Sequence, residues 1–424
     1  MTTDQNREYA RQMDQADTLA RFRSEFWIPK HSNGENQFYF CGNSLGLQPK
    51  RLGREMAIEL EAWKDLGVAG HFRGRNPWMR YHEMLRAPLA NLVGALPNEV
   101  VAMNSLTVNL HLMMVSFYRP EGSRNRILIE KQAFPSDRYA VESQIRFHGL
   151  DPDQCLVELA GDQQTGCLAE DEIINYLGEY GDQVALVMFP GVQYATGQVF
   201  DMERIAEAAR SCGAAVGFDL AHAIGNVSLK LHDWGCDFAV WCSYKYLNSG
   251  PGAVAGCFIH EQHSHRSDLP RFQGWWGHDP DSRFLMPTDF NPASGVDAWQ
   301  LSNPPIYAMA PLRVSLELFE EAGFAALREK SIALDYFLQK LLDEQVANAI
   351  QVITPRGIAM RGCQLSLRVM AGREAGRELF EALAVRGYIC DWREPDIIRV
   401  APVPLYNTFE EIWFLVDFLR QETR

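Results

Sequence analysis

GFDLAHAIGNVSLKLHDWGCDFAVWCSYKYLNSGPGAVAG, residues 217–256, contains two apolar runs that each end in residues able to carry chemistry. Asp219 follows the first run, 214–218, and Lys245 follows the second, 238–242. Apolar runs without strict alternation are typical of strands that are covered on both faces. In parallel α/β sheets, ligands bind beyond the carboxyl ends of the strands. The stretch therefore predicts an α/β fold with Asp219 and Lys245 at a ligand-binding edge.

A lysine and an acid at two strand ends suit one cofactor, pyridoxal phosphate (PLP). This cofactor needs a lysine for its Schiff base and a carboxylate that keeps its pyridine nitrogen protonated. Lys245 can supply the first and Asp219, 26 residues earlier, the second. Each residue alone also has a simpler interpretation. Asp219 can cap a short helix, and Lys245 can be a surface side chain whose stem covers apolar groups.

The glycines after Lys245 offer a rival interpretation, a nucleotide-binding loop. Gly250, Gly252 and Gly256 have the spacing G-x-G-x-x-x-G, and the pattern G-x-x-x-x-G-K-[ST] is absent from the sequence. The first spacing is not the dinucleotide fingerprint, and the second pattern is what a P-loop requires. The glycines therefore indicate a sharp turn after the lysine.

The neighbouring sequence continues an alternation of strands and helices. Strand-like apolar runs occupy 126–130, 184–189 and 253–259, and the segment 202–212 has helical spacing. Gly213 follows that segment, where a glycine commonly ends a helix. Strand and helix in this rhythm predict an α/β domain with a mainly parallel sheet.

Beyond Pro304-Pro305 the pattern changes to that of a smaller α+β domain, so we expect a boundary near residues 305–315. The predicted elements of this second part are helices over 312–342, 376–386 and 409–420 and strands over 363–369 and 397–401.

Composition narrows the class of protein. The 424 residues include 40 Lys and Arg and 54 Asp and Glu, for a net charge of −14, which argues against a nucleic-acid-binding protein. The sequence contains no run of 18 apolar residues, so it predicts no membrane span. Its N-terminus lacks the apolar region of a secretory signal. The nine cysteines include no C-x-x-C pair, which argues against a zinc knuckle. We expect a reduced, cytoplasmic protein.

Motifs spread from about residue 38 to residue 407 make the chain similar to the kynureninases, which are PLP enzymes of fold type I, the aspartate-aminotransferase fold. Asp-x-x-His with a distant Ser-x-Lys fits many fold-type-I enzymes, whereas the whole set of motifs is specific. Beside the region of Asp219 and Lys245, the motifs are GNSLGLQP (42–49), NSLTVNLH (104–111), AFPSD (133–137), GVQY (191–194), GWWGH (274–278), SNPPI (302–306) and RVAPVPLYN (399–407).

The resemblance implies a set of site residues and no metal. The implied cofactor contacts are Leu106, Thr107, Phe134, Asp137, Asp219, His222, Tyr244, Lys245, Trp275 and Asn303. The implied substrate contacts are Ser44, His71, Ser302, Asn303 and Arg399, the last of them for the α-carboxylate.

Simpler interpretations stay open for several of these residues. Without the family, Phe134 and Trp275 would be core aromatic residues, and His222 would be a structural histidine. Arg399 could instead form an ion pair within the chain, with Asp391 or Glu394 as the nearby candidates.

One position departs from the family pattern. A hydroxyl residue stands near the phosphate in some relatives, where this chain has Pro190, which cannot donate a hydrogen bond.

The resemblance also implies a reaction, the hydrolytic cleavage of the β,γ carbon–carbon bond of a kynurenine side chain, in tryptophan degradation and NAD biosynthesis. Lys245 would remove the α-proton, and Tyr244 would act as the acid–base group at the ketone and the β-carbon. The products are an anthranilate and alanine. His71, Ser302 and Asn303 resemble the form that favours 3-hydroxykynurenine over kynurenine.

From the resemblance we also expect a large domain with a mainly parallel seven-stranded sheet and a smaller C-terminal α+β domain. We place an N-terminal segment that packs with the small domain over residues 1–48, the large PLP-binding domain over 49–308 and the small domain over 309–424. A homodimer with the active site between subunits is implied as well.

Two alternatives remain. One is another fold-type-I enzyme, an aminotransferase or a cysteine desulfurase, and the latter would need a mobile nucleophilic cysteine such as Cys363. The other is a non-catalytic regulatory protein of the same fold, which the set of Lys245, Asp219, Tyr244 and Arg399 disfavours.

Overall fold

The computed structural model describes residues 3–266 and 268–423, so the ends of the predicted N-terminal segment and small domain, residues 1, 2 and 424, lie outside the described residues. The strands are, in chain order, β1 (Phe26–Trp27), β2 (Phe38–Tyr39), β3 (Gln48–Pro49), β4 (Val100–Ala102), β5 (Arg126–Glu130), β6 (Leu156–Leu159), β7 (Val184–Pro190), β8 (Ala215–Asp219), β9 (Phe238–Trp241), β10 (Gly256–Ile259), β11 (Ile350–Val352), β12 (Leu365–Val369), β13 (Tyr388–Ile389), β14 (Asp391–Arg393) and β15 (Ile397–Val400).

Helices flank these strands along the whole chain. The α-helices are α1 (Thr3–Ala16), α2 (Leu52–Leu66), α3 (Arg86–Val93), α4 (Leu106–Phe117), α5 (Pro135–Phe147), α6 (Pro152–Cys155), α7 (Glu170–Tyr180), α8 (Met202–Ser211), α9 (Leu231–Trp234), α10 (Ile306–Ala322), α11 (Phe324–Gln345), α12 (Arg373–Val385) and α13 (Phe409–Glu422). Among the described residues, none of these helices combines the length and apolarity that crossing a membrane requires.

The large sheet has seven strands in the order β4-β10-β9-β8-β7-β5-β6. β5 to β9 pair in parallel, and β10 runs antiparallel to both β4 and β9. This confirms the predicted fold class, a mainly parallel seven-stranded sheet. Strand β7 explains the apolar run at 184–189: Val187 and Phe189 enter one core, while Leu186 and Met188 enter the core on the other face.

The parallel strands bring their carboxyl ends to one edge of the large sheet. Glu130 ends β5, and Pro190 at the end of β7 stands opposite Asp219 at the end of β8. Lys245 lies four residues beyond the end of β9. Residues far apart in sequence therefore meet at this edge, as expected for a ligand site of a parallel sheet.

A second, four-stranded antiparallel sheet in the order β11-β12-β15-β14 forms the C-terminal part of the chain. Its core includes Leu338 of α11, Leu365 of β12 and Leu415 of α13. The N-terminal segment joins this core, because β2 pairs with β13 and Phe40 is buried within it.

Helix α10 spans the predicted boundary between residues 308 and 309. Its buried residues Met309, Leu312 and Leu316 belong to a core of the large sheet, whereas the core of the small sheet takes its residues of α11 from Leu334 onward. The domain limits stay a prediction.

Candidate active site

A pocket at the carboxyl edge of the large sheet brings together eight of the residues that the sequence predicted for the site. They are Leu106, Thr107, Phe134, Asp137, Asp219, His222, Tyr244 and Lys245. Six further residues complete the lining, namely Glu130, Ser136, Pro190, Val192, Tyr194 and Ala221.

Lys245 is fixed by a turn of the N-terminal segment. The Gly46 N–H donates to the Tyr244 carbonyl oxygen at 2.8 Å. A Cβ at position 46 would collide with the Lys245 carbonyl oxygen, so the close approach of the two backbones requires glycine. Ser44 lies two residues earlier in the same turn, where its N–H donates to the Cys41 carbonyl oxygen, and it does not line the pocket.

The Lys245 amine has a defined partner. Its Nζ lies 2.9 Å from Nε2 of His222. Burial, and then the charge of Lys245, hold the pKa of His222 well below its usual value. The imidazole is therefore neutral, and its Nε2 can accept a hydrogen bond from the Lys245 amine. The other ring nitrogen, Nδ1, is buried without a hydrogen-bond partner among the described residues.

Three buried acids, Glu130, Asp137 and Asp219, line the same pocket. Asp219 accepts a hydrogen bond of 2.6 Å from the Ala221 N–H. Burial, and then the neighbouring charge of Asp219, raise the pKa of Asp137 well above its usual value. Burial is also the main reason that the pKa of Glu130 is raised to about 8. This part of the pocket suits a protonated ring nitrogen, because a nearby positive charge would stabilise the ionised acid.

Two helix N-termini form a third side of the pocket. Thr107 lies in the first turn of α4 and Ser136 in the first turn of α5, and their hydroxyl oxygens are 2.8 Å apart. Free N–H groups and the dipole at a helix N-terminus favour an anion such as phosphate. These two hydroxyl groups can donate to the same anion.

The donor set fits PLP. A lysine amine, a buried carboxylate and an anion site surround one pocket, and Phe134 supplies an aromatic wall whose ring centroid is 5.9 Å from Nζ of Lys245. The unpartnered Nδ1 of His222 adds a buried polar atom that a bound group would satisfy.

Tyr244 carries a phenol suited to proton donation. The Nζ of Lys245 lies 5.9 Å from the centre of its ring. Burial, followed by the neighbouring Cys242, raises the pKa of Tyr244. The phenol therefore holds its proton in the pocket as described and can give it up only to a strong developing base.

Arg399 lies behind the pocket and is fully buried. Its Nη2 is 2.8 Å from a carboxylate oxygen of Asp391, and its Nη1 donates to the Tyr194 carbonyl oxygen at 2.8 Å. Of the two ion-pair partners that the sequence left open, Asp391 is the one in contact, while Glu394 pairs with Arg373.

Four predicted residues lie away from the pocket within one chain. His71 packs edge-on against Trp78, at 5.5 Å between ring centres. Trp275 is 41% exposed and packs against Phe284. Ser302 and Asn303 are exposed and line a separate groove that also borders Tyr244.

Several lining residues were missed by sequence reasoning. Glu130 ends a strand-like run, and a charged residue at such a position is usually solvated. Only its burial near Asp219 in the structure identifies it as a residue of the site. Ser136 stood in the motif at 133–137, and its place one residue after Pro135 is a helix-start signal that could have identified it. Tyr194, whose ring stands edge-on to Phe134 at 5.2 Å, also stood in a motif, at 191–194, but was assigned no contact.

The cysteine of the desulfurase alternative is unsuited to nucleophilic chemistry. Cys363 is 1% exposed, and its N–H donates to the Asn226 side chain at 2.9 Å. Burial raises the pKa of its thiol to about 12. A thiol in this environment stays protonated and inert.

Comparison with known proteins identifies relatives over nearly the whole chain. The family model described as Kynureninase C-terminal domain matches residues 327–419. A protein of Xanthomonas campestris pv. campestris (strain B100) named Kynureninase is 55% identical over 417 residues, covering 98% of each chain. A Stenotrophomonas maltophilia (strain K279a) protein of the same name is 55% identical over 414 residues, covering 97% of each chain.

Solved structures with the same fold are much more distant in sequence. The cystine C-S lyase C-DES, in complex with cysteine persulfide, has a TM-score of 0.76 at 19% identity, covering 91% of this chain and 97% of its own. The cysteine desulfurase CsdA from Escherichia coli has a TM-score of 0.74 at 15% identity, covering 96% of this chain and 98% of its own. At these identities the likeness concerns the fold.

Proposed function

The chain belongs to the kynureninase family, and from that premise we propose that it cleaves L-kynurenine or 3-hydroxy-L-kynurenine hydrolytically. The products are anthranilate or 3-hydroxyanthranilate and L-alanine. The observation that carries the proposal is the single pocket in which Lys245, neutral His222 and the buried Asp219 face one another. A PLP-dependent reaction that starts by removing an α-proton needs a base, here Lys245, and a carboxylate beside the ring nitrogen, here Asp219.

Different residues of the pocket have different proposed roles toward PLP and the substrate. When bound, PLP provides an electron sink that makes the α-proton of an amino-acid substrate acidic. Lys245 removes that proton, and the neutral imidazole of His222, 2.9 Å away, holds the amine in place. Asp219 would keep the ring nitrogen protonated, and Thr107 and Ser136, whose hydroxyl oxygens are 2.8 Å apart, would hold the phosphate.

Tyr244 is the proposed proton donor. Its phenol is protonated and borders the same pocket as Lys245. It gives its proton to the ketone oxygen as water adds to the carbonyl carbon, takes a proton back from that water, and then protonates the β-carbon as the carbon–carbon bond breaks; the carboxylic acid formed in the cleavage returns the last proton.

Arg399 is the proposed partner of the substrate α-carboxylate. Its pairing with Asp391 and the Tyr194 carbonyl fixes the guanidinium plane before substrate arrives. Since Arg393 also pairs with Asp391, two cations share one carboxylate, which leaves positive charge for a second anion.

We infer a homodimer with the site between subunits. His71, Trp275, Ser302 and Asn303 lie outside the pocket of their own chain, and Trp275 offers an exposed indole. A large aromatic side chain on the surface is typical of an interface. In this assembly the four residues complete the site of the neighbouring subunit.

The finer assignment is a preference for 3-hydroxykynurenine, in tryptophan degradation and NAD biosynthesis in the cytoplasm. A site built to hydrogen-bond an extra hydroxyl group discriminates against the substrate that lacks it. Steady-state kinetics on both substrates test this, and a higher kcat/KM for kynurenine would contradict it.

An absorbance spectrum of the purified protein with PLP, followed by product analysis after adding 3-hydroxykynurenine, tests the main proposal. We expect a visible cofactor band together with 3-hydroxyanthranilate and alanine. A band without these products would favour an aminotransferase or desulfurase, whereas full kynureninase activity of Cys363→Ala would dismiss the desulfurase. Absence of a band would favour a non-catalytic protein.

A further inference from the structure

A loop of the large domain, residues 194–196, is held by side chains of the small sheet. Each of its three consecutive carbonyl oxygens accepts a hydrogen bond from that side. The donors are Arg399 (2.8 Å) and Gln364 (3.0 Å) to Tyr194, Ser366 (2.6 Å) to Ala195 and Thr354 (2.6 Å) to Thr196. The loop is thereby docked on β12, β15 and the segment after β11.

Gln193, the residue before this loop, continues the connection. Its Oε1 accepts hydrogen bonds from the N–H groups of Ala195 at 2.6 Å and Thr196 at 3.0 Å. Its Nε2 donates to the Gln132 carbonyl oxygen at 2.7 Å. The side chain is 3% exposed, so its two contacts with Ala195 and Thr196 are buried, and the contact with Gln132 is partly buried. One amide therefore ties the docked loop to the chain two residues before Phe134.

The Phe134 ring needs such support, because 40% of the residue's surface is exposed and it stands just before the first residue of helix α5. Its ring is contacted by the Tyr194 ring, edge-on at 5.2 Å and 80°. The hydrogen bond of Gln193 and this ring contact are two links between the same pair of loops. Together they set where the aromatic wall of the pocket stands.

We propose that Gln193 is a positioning residue of the cofactor site, which fixes the Phe134 wall through Gln132 and couples it to the docking of loop 194–196 on the small domain. The inference rests on the proposed assignment of the pocket to PLP. In this role Gln193 connects the small domain, which carries Arg399, to the cofactor ring independently of bound substrate.

Gln198 provides a matched control for the test. It is the same residue type on the other arm of the same hairpin and is 2% exposed. Its side chain also accepts from an N–H and donates to a carbonyl, both of Leu168, at 3.0 and 2.6 Å. Leu168 does not line the pocket. Gln198→Met and Gln193→Met therefore remove comparable buried hydrogen bonds, and only the second touches the path to Phe134.

The measurements are PLP dissociation and the visible circular dichroism of bound PLP, which depends on how the ring is held, with thermal unfolding alongside. We expect Gln193→Met, which loses the hydrogen bond to Gln132, to bind PLP about tenfold more weakly, the effect of one hydrogen bond, and to lose much of the visible dichroism. Gln198→Met should lower the unfolding temperature to a similar extent and leave both cofactor readouts unchanged.

Equal cofactor readouts in the two variants would overturn the proposal. If Gln193→Met does not fold, Gln193→Glu at alkaline pH decides, since the carboxylate keeps the acceptor for Ala195 and Thr196 but loses the donor to Gln132. Its visible dichroism should fall as for Gln193→Met, and an unchanged signal would overturn the proposal. Failure of the proposed function is distinguished beforehand, because the unmodified chain would then show no PLP band or no cleavage.

Discussion

The Nζ of Lys245 lies 2.9 Å from Nε2 of His222, and burial keeps that imidazole neutral. A neutral imidazole can accept a hydrogen bond from an ammonium group, whereas an imidazolium ion would repel it. The contact therefore orients the amine without competing for its proton over the ordinary pH range.

Lys245→Ala should lower kcat by about 10²–10⁴-fold, the usual contribution of a positioned acid–base group. The visible band of bound PLP should be lost as well, because the lysine is the proposed attachment point. Product fluorescence and absorbance measure the two effects. Lys131→Ala, at an exposed lysine, is the control. Retention of the visible band in Lys245→Ala would contradict the assignment of this lysine.

Asp219 and Asp137 should respond differently to neutralisation. The pKa of Asp137 is raised well above its usual value, so an amide at this position replaces a group that is already uncharged. Asp219→Asn removes the charged partner of the ring nitrogen and should lower kcat about 10- to 150-fold, the range for a hydrogen bond to a charged group. Asp137→Asn should have a much smaller effect on kcat. A larger loss of kcat in Asp137→Asn than in Asp219→Asn would assign the ring-nitrogen contact to Asp137 instead.

Arg399→Lys should raise KM with less effect on kcat. The planar guanidinium group of Arg399 pairs with Asp391 and at the same time donates to the Tyr194 carbonyl oxygen. A lysine ammonium group cannot reproduce this geometry. We expect an increase in KM of about 10- to 150-fold, as for a lost hydrogen bond to a charged group. Arg368→Lys, at an arginine on β12 that pairs with Asp396 at 2.9 Å, controls for changes in the small sheet. An unchanged KM in Arg399→Lys would remove Arg399 from the substrate site.

The sequence predicted the sheet and the centre of the pocket because both are encoded locally. Apolar runs such as 184–189 mark strands buried on both faces, and residues just after such runs must meet at one edge of a parallel sheet. This rule alone identifies Asp219 and Lys245, without the family resemblance.

Other features depend on contacts that no local pattern encodes. The choice of Asp391 as the partner of Arg399 follows from the antiparallel register of β14 and β15, which places the two residues opposite one another. Tyr194 enters the lining because the small sheet holds its carbonyl oxygen. Likewise, the sequence alone does not reveal that His71 and Trp275 lie outside the pocket of their own chain.

Glu130 makes the stability of the PLP-free protein depend on pH. Its pKa is raised from 4.5 to about 8 by burial, with Asp219 as a further cause. Below the unfolded pKa the carboxyl is protonated in both states. As pH rises toward 8, the unfolded chain ionises while the folded protein keeps the proton, so stability falls by up to about 1.4 kcal/mol per pH unit. Above pH 8 both states are ionised and the loss is complete.

Glu130→Gln removes the ionisable group, so the variant should gain unfolding temperature relative to the unmodified protein as pH rises from 5 to 8, and should show little gain at pH 5. Glu172→Gln, at an exposed acid, should follow the unmodified protein throughout. Thermal unfolding of the three PLP-free proteins across this range measures the difference, and parallel curves for Glu130→Gln and the unmodified protein would show that Glu130 does not titrate in this window.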